Sequence, residues 1–97
     1  MSVREEFQLR ATILGHVQGV GFRAYVLQHA ANLGLKGWVR NTYRGDVEVL
    51  AEGPRPALEK LLELLESGPR SSHIIEVKRQ WDSASGQFDR FEIQRTV

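Results

Sequence analysis

The feature that most constrains this chain is a change of hydrophobic period across Gly15-His16-Val17-Gln18-Gly19-Val20-Gly21-Phe22-Arg23. Before it, Phe7, Leu9, Ala11 and Ile13 alternate with Gln8, Arg10 and Thr12, the period of a strand with one buried face. After it, Phe22, Val26, Ala30 and Leu33 fall at helical spacing, and Gly34 stands where a helix commonly ends in a left-handed conformation. A strand therefore enters a helix through a glycine-rich loop. Such a junction can be no more than a turn. It can also bind an anion: glycines let N–H groups converge, the helix contributes the positive end of its dipole, and Arg23 adds a forked cation. Arg23 favours the second reading, because a cation in the first helical turn opposes the dipole unless an anion compensates it.

The rest of the chain continues the alternation of strands and helices. Lys36 to Asn41 and Asp46 to Gly53 read as two strands of a hairpin turning at Thr42-Tyr43-Arg44-Gly45, with Val47, Val49 and Ala51 on one face. Pro54 and Pro56 suit the start of a second helix, in which Leu58, Leu61, Leu62 and Leu65 make one stripe before a Gly68-Pro69 stop. Ile75, Val77 and Trp81 predict a fourth strand, Ser83-Ala84-Ser85-Gly86 a surface loop, and Phe91 with Ile93 a short closing strand. The order is βαββαβ plus one strand whose place in the sheet the pattern leaves open. Burying both helical stripes on one face of a sheet, with right-handed crossovers, gives an α+β, ferredoxin-like sandwich with a mainly antiparallel sheet.

Composition narrows the function. At 97 residues the chain is expected to form a single domain over residues 1–97, with residues 1–6 loosely ordered ahead of the first strand. No secretory or transit pattern and no apolar run of membrane length is visible, so a cytoplasmic protein without a membrane partner is expected. Without cysteine there is no thiol nucleophile and no cysteinyl metal site. His16, His29 and His73 form no metal-ligand spacing. A net charge of +1, from 13 basic and 12 acidic residues mixed along the chain, is a poor footprint for nucleic acid.

The glycine segment resembles the phosphate-binding loop of the acylphosphatase family, and Gly37-Trp38-Val39-Arg40-Asn41 resembles that family's second motif. The likeness runs on through Val47-Glu48-Val49-Leu50-Ala51-Glu52-Gly53, the helix with its Gly68-Pro69 stop, and Phe91-Glu92-Ile93. It implies the ferredoxin-like fold and hydrolysis of small acyl phosphates to carboxylate and inorganic phosphate, without metal or cofactor. It implies also that Arg23 and Asn41 are catalytic. The backbone of His16, Val17, Gln18, Gly19, Val20 and Gly21 would hold the phosphate, and Asn41 would orient the attacking water. The alternative is a noncatalytic anion-binding or regulatory module of the same fold. Arg44 stands where the family often has aspartate and Arg90 where it often has a small residue, which bears on the hairpin turn and the sheet edge.

Other readings of the same residues are weaker. Gly19-x-Gly21-x-x-Ala24 fits a dinucleotide fingerprint formally, but the following hairpin and the short chain leave no room for that fold, and no Lys-Ser/Thr completes a nucleotide P-loop. Phe22, Tyr25 and Trp38 could suggest a base-stacking platform, yet the third strand carries Glu48 and Glu52 and no aromatic, which disfavours RNA. Asn41 by itself would be an ordinary turn residue. Glu59, Glu63 and Glu66 are expected on the solvated side of the second helix. The helices show no evident exposed apolar patch, so a monomer is expected.

Overall fold

The computed structural model describes residues 5–97. The elements run β1 (Phe7–His16), α1 (Phe22–Asn32), β2 (Lys36–Asn41), β3 (Val47–Gly53), α2 (Arg55–Ser67), β4 (His73–Ser83) and β5 (Phe91–Ile93). Of the amino-terminal residues expected to be loosely ordered, 1–4 lie outside the described residues, while Glu5 and Glu6 are exposed and precede the first strand.

The sheet order is β4-β1-β3-β2-β5. β1 pairs antiparallel with both β3 and β4, β2 pairs antiparallel with β3, and β5 joins β2 in parallel. This is the expected ferredoxin-like arrangement, and it settles the place of the closing strand at the free edge of β2. Strand alternation sends Leu9, Ala11 and Ile13 of β1 and Val47, Val49 and Ala51 of β3 to one face, where all are essentially inaccessible to solvent. Phe22, Val26 and Ala30 from α1 and Leu58, Leu61, Leu62 and Leu65 from α2 complete that core. Tyr25 packs at its rim, edge-on to His29, and its phenol donates to the Leu64 carbonyl at 2.8 Å. Helix α1 ends as its sequence predicts: Gly34 is left-handed, and the Gly34 and Leu35 N–H groups return to the carbonyls of Ala31 and Ala30.

Two details depart from simple alternation. β1 runs on through Gly15 and His16, which pair with Ile74 and His73, so the connecting loop is shorter than the glycine pattern suggests. The pairing slips between Leu14 and Gly15, and Ile75 is the unpaired residue of this bulge. As a result Ile74 packs against the core, whereas Ile75, at matching spacing with Val77 and Trp81, is 73% exposed.

The face away from the helices is also covered in part. Trp38 and Leu50 lie on it by alternation and are nearly buried. The Arg40 guanidinium sits 4.2 Å from the Trp38 ring centroid while its Nε donates to Glu48 at 2.9 Å. Because β4 and β5 are opposite edges, residues 84–90 must cross the whole sheet, and they are anchored midway by Glu52. Its carboxylate accepts the Ser85 N–H at 2.7 Å, the Gly86 N–H at 3.0 Å and the Gln8 amide at 2.7 Å. Burial acts to raise the Glu52 pKa, but these donors outweigh it and hold the carboxyl below its ordinary value.

Candidate active site

The loop of residues 17–21 leaves β1 and feeds α1 directly. Gly19 and Gly21 both adopt positive φ, 73° and 78°, and a Cβ at either would meet no atom but would be strained by the backbone itself. Gly21 is the N-cap of α1 and brings no side chain to cap it. Within the described residues, the N–H groups of residues 17–21 donate to no backbone carbonyl or side chain. Together with the first turn of α1 they form an electropositive concavity of unpaired donors.

The loop is fixed from behind by a side chain that the sequence pattern treats only as backbone. The Gln18 amide nitrogen donates to the carbonyls of Thr42 at 2.7 Å and Asp46 at 2.8 Å, tying the loop to the β2–β3 hairpin. That hairpin keeps its form despite Arg44: the Thr42 N–H bonds the Asp46 carbonyl at 2.9 Å, and Arg44 reaches Asp46 at 3.7 Å from an exposed position. The edge carrying Arg90 is likewise intact, with its carbonyl accepting the Gly37 N–H at 3.0 Å.

Asn41 ends β2 on the helix-facing side, opposite Val47. Gly19 and Gly21 of the loop, Arg23 of α1 and Asn41 line one pocket of about 260 Å³. Its apolar lining comes from Val17, Phe22, Ala24 and Ile93. Arg23 is half-buried and makes no ion pair with a carboxylate among the described residues. The Asn41 Oδ1 is buried yet has no hydrogen-bond partner there. A side-chain amide lining the same pocket as a guanidinium without a carboxylate partner suits a site that must bind both an anion and a polar hydrogen.

The residues singled out from sequence divide accordingly. Arg23, Asn41, Val17, Gly19 and Gly21 meet in the pocket. His16 is exposed at the end of β1, Val20 packs toward the core, and Gln18 is directed to the hairpin, so these three do not line it. Ile93 was not legible as a site residue, although its place in a short closing strand was. Among the described residues, no three His, Asp or Glu side chains gather as a metal-ligand group, and the acidic residues of α2 instead face Arg55, Lys60 and Arg79.

A sequence model of the acylphosphatase family matches residues 9–93. An acylphosphatase of Salinibacter ruber is 41% identical over 95 residues, covering 98% of this chain and the whole of that one. One of Thermobifida fusca is 47% identical, covering 91% of this chain and 97% of the relative. The crystal structure of an acylphosphatase from Bacillus subtilis superposes with a TM-score of 0.88 at 38% identity, over 91% of this chain and 98% of that one. Matched over residues 9–93 by the family's sequence model and over most of its length by these relatives, the chain belongs to the acylphosphatase family.

Proposed function

We propose that this chain hydrolyses the carboxyl–phosphate bond of small acyl phosphates, with the phosphoryl group held by the loop and Arg23 and the attacking water oriented by Asn41. The observation that carries this reading is the meeting of Arg23, Asn41, Gly19 and Gly21 in one pocket. The backbone N–H groups of residues 17–21 and the Arg23 fork take the phosphoryl oxygens, where charge must be stabilised as the reaction proceeds. The Asn41 side-chain amide, which lines the same pocket, hydrogen-bonds the water and aims the oxygen lone pair at phosphorus. As the water oxygen–phosphorus bond forms, the phosphorus–acyl oxygen bond breaks and its electron pair leaves with the carboxylate. The water's proton passes to a phosphoryl oxygen. A carboxylate is a good leaving group, so positioning and electrostatics suffice and no cofactor is invoked.

We assign the protein as a cytoplasmic monomer of one domain over residues 1–97, acting on a small molecule and not on nucleic acid or a membrane. Among the described residues no helix is long and apolar enough to span a bilayer. The direct test is hydrolysis of benzoyl phosphate in excess chelator, with folded Arg23→Gln beside the wild type. Chelator-resistant turnover that falls at least about a hundredfold in the variant is expected. Absence of turnover in the folded wild type would favour a noncatalytic anion-binding module, and activity surviving in Arg23→Gln would place the chemistry elsewhere.

A further inference from the structure

The pairing of β1 with β4 sets His16 directly opposite His73, although the two lie far apart in the sequence. Residues opposed in this way in an antiparallel pair have Cβ atoms roughly 4.5–5.5 Å apart. The strands also approach closely beside them: Gly15 has a φ of 136°, and a Cβ there would clash with the His73 carbonyl. On the other side, the turn that leads into His73 is fixed by Ser72, whose N–H and hydroxyl donate to the Pro69 carbonyl at 3.0 and 2.6 Å. Both imidazoles are exposed, and neither has a hydrogen-bond or ion-pair partner among the described residues. The third histidine, His29, is packed edge-on against Tyr25 on α1 and is no part of the pair. An ion bonded at about 2.0–2.1 Å to one nitrogen of each ring needs those nitrogens on the order of 3 Å apart. Side chains rooted this closely reach that spacing by rotation between staggered conformers. Two positions along β1, Glu76 lies opposite Leu14, exposed and without an ion pair among the described residues, so a carboxylate near the pair offsets part of the positive field of the anion loop.

We propose that His16 and His73 form a two-imidazole site for a divalent transition-metal ion of the Zn²⁺, Ni²⁺ or Cu²⁺ class. Imidazole nitrogen suits these ions, whereas Mg²⁺ and Ca²⁺ take oxygen ligands. Water completes the coordination, because no three His, Asp or Glu side chains gather among the described residues. Neither histidine lines the pocket of Arg23 and Asn41, so the ion takes no part in hydrolysis. It cross-links β1 to the edge strand β4 at the point where β1 enters the anion loop.

The test is isothermal titration of the untagged full chain with zinc chloride in a phosphate-free, non-coordinating buffer. His16→Ala, His73→Ala and the double variant are titrated alongside, each checked for folding by thermal melting. One ion per wild-type chain is expected. Each single variant should bind at least about tenfold more weakly, a loss that even a group merely supporting a ligand produces. The double variant should be little weaker than either single one, because removing one ligand already dissolves the pair. In NMR spectra the imidazole signals of His16 and His73 should move together while those of His29 stay. Unchanged affinity in either single variant, or wild-type binding no tighter than that of the double variant, would overturn the site. Hydrolysis of benzoyl phosphate by His73→Ala in excess chelator should equal that of the wild type, and a loss there would contradict the separation of the ion from the pocket.

Discussion

Two glycine-containing segments of this molecule carry backbone N–H groups that no backbone carbonyl accepts, and they differ in what those groups meet. At Ser85 and Gly86 the anion is built in: the Glu52 carboxylate accepts both N–H groups and the Gln8 amide, and is only 4% exposed. At residues 17–21 the donors have no acceptor among the described residues, and the adjacent Arg23 has no carboxylate. The first arrangement is a clasp that holds the crossing segment to the sheet. The second, on the function proposed above, is the complement of an anion that arrives from solution. On the function proposed above, the same charge-assisted hydrogen bonding that stabilises the fold in one place would recognise a substrate in the other.

The comparison is broken most severely at Arg23. Arg23→Gln should cost at least about a hundredfold in kcat/KM with little change in melting temperature, because the side chain has no structural ion pair to lose. A melting temperature that collapses together with activity would make Arg23 a structural residue. Asn41→Ala should come next, lowering kcat roughly a hundredfold while inorganic phosphate inhibits about as well as in the wild type. Loss of phosphate affinity equal to that in Arg23→Gln would dissolve the division between holding the anion and orienting the water.

Glu52→Gln sharpens the other half of the comparison. Losing the charged acceptor should reduce unfolding free energy by about 1–3 kcal/mol, measured by urea denaturation at neutral pH, while kcat per folded molecule changes little. The pH dependence has a definite sign. The carboxyl pKa is lowered in the folded state, so its contribution is complete above the ordinary value of 4.5 and disappears as pH falls through the folded-state value. The difference in urea midpoint between wild type and Glu52→Gln should therefore shrink below about pH 4.5. A difference that persists undiminished in acid would assign the effect to packing and not to the charge.

How much of this was legible in the sequence depends on whether partners are local. The order of elements followed from hydrophobic period, as did the start of α1 at Phe22, and the end of that helix from Gly34. Arg23 and Asn41 were legible through motif resemblance, but their meeting in one pocket needs the β2–β3 pairing to bring distant segments together. Gln18 was read only for its N–H because its side-chain acceptors are backbone carbonyls, which any residue supplies. Glu52 was legible only as an acid of the third strand that disfavours RNA, since nothing near it in sequence announces the Ser85 and Gly86 donors 33 and 34 residues away. Ile75 correctly marked the fourth strand but said nothing of which face it takes, because a bulge moves one residue out of phase. β5 could be recognised as a strand, but its edge is decided by the crossing segment that Glu52 anchors.

The most direct measurement is an amide-resolved NMR titration of the folded wild-type chain with inorganic phosphate, repeated on Arg23→Gln. The largest saturable shifts are expected at Gly19, Gly21 and their loop neighbours, with Ser85 and Gly86 unmoved because Glu52 already occupies them, and with weaker binding in the variant. Shifts at Ser85 and Gly86 as large as those in the loop, or none in the loop at all, would contradict the distinction between an anion that is part of the fold and one that is bound.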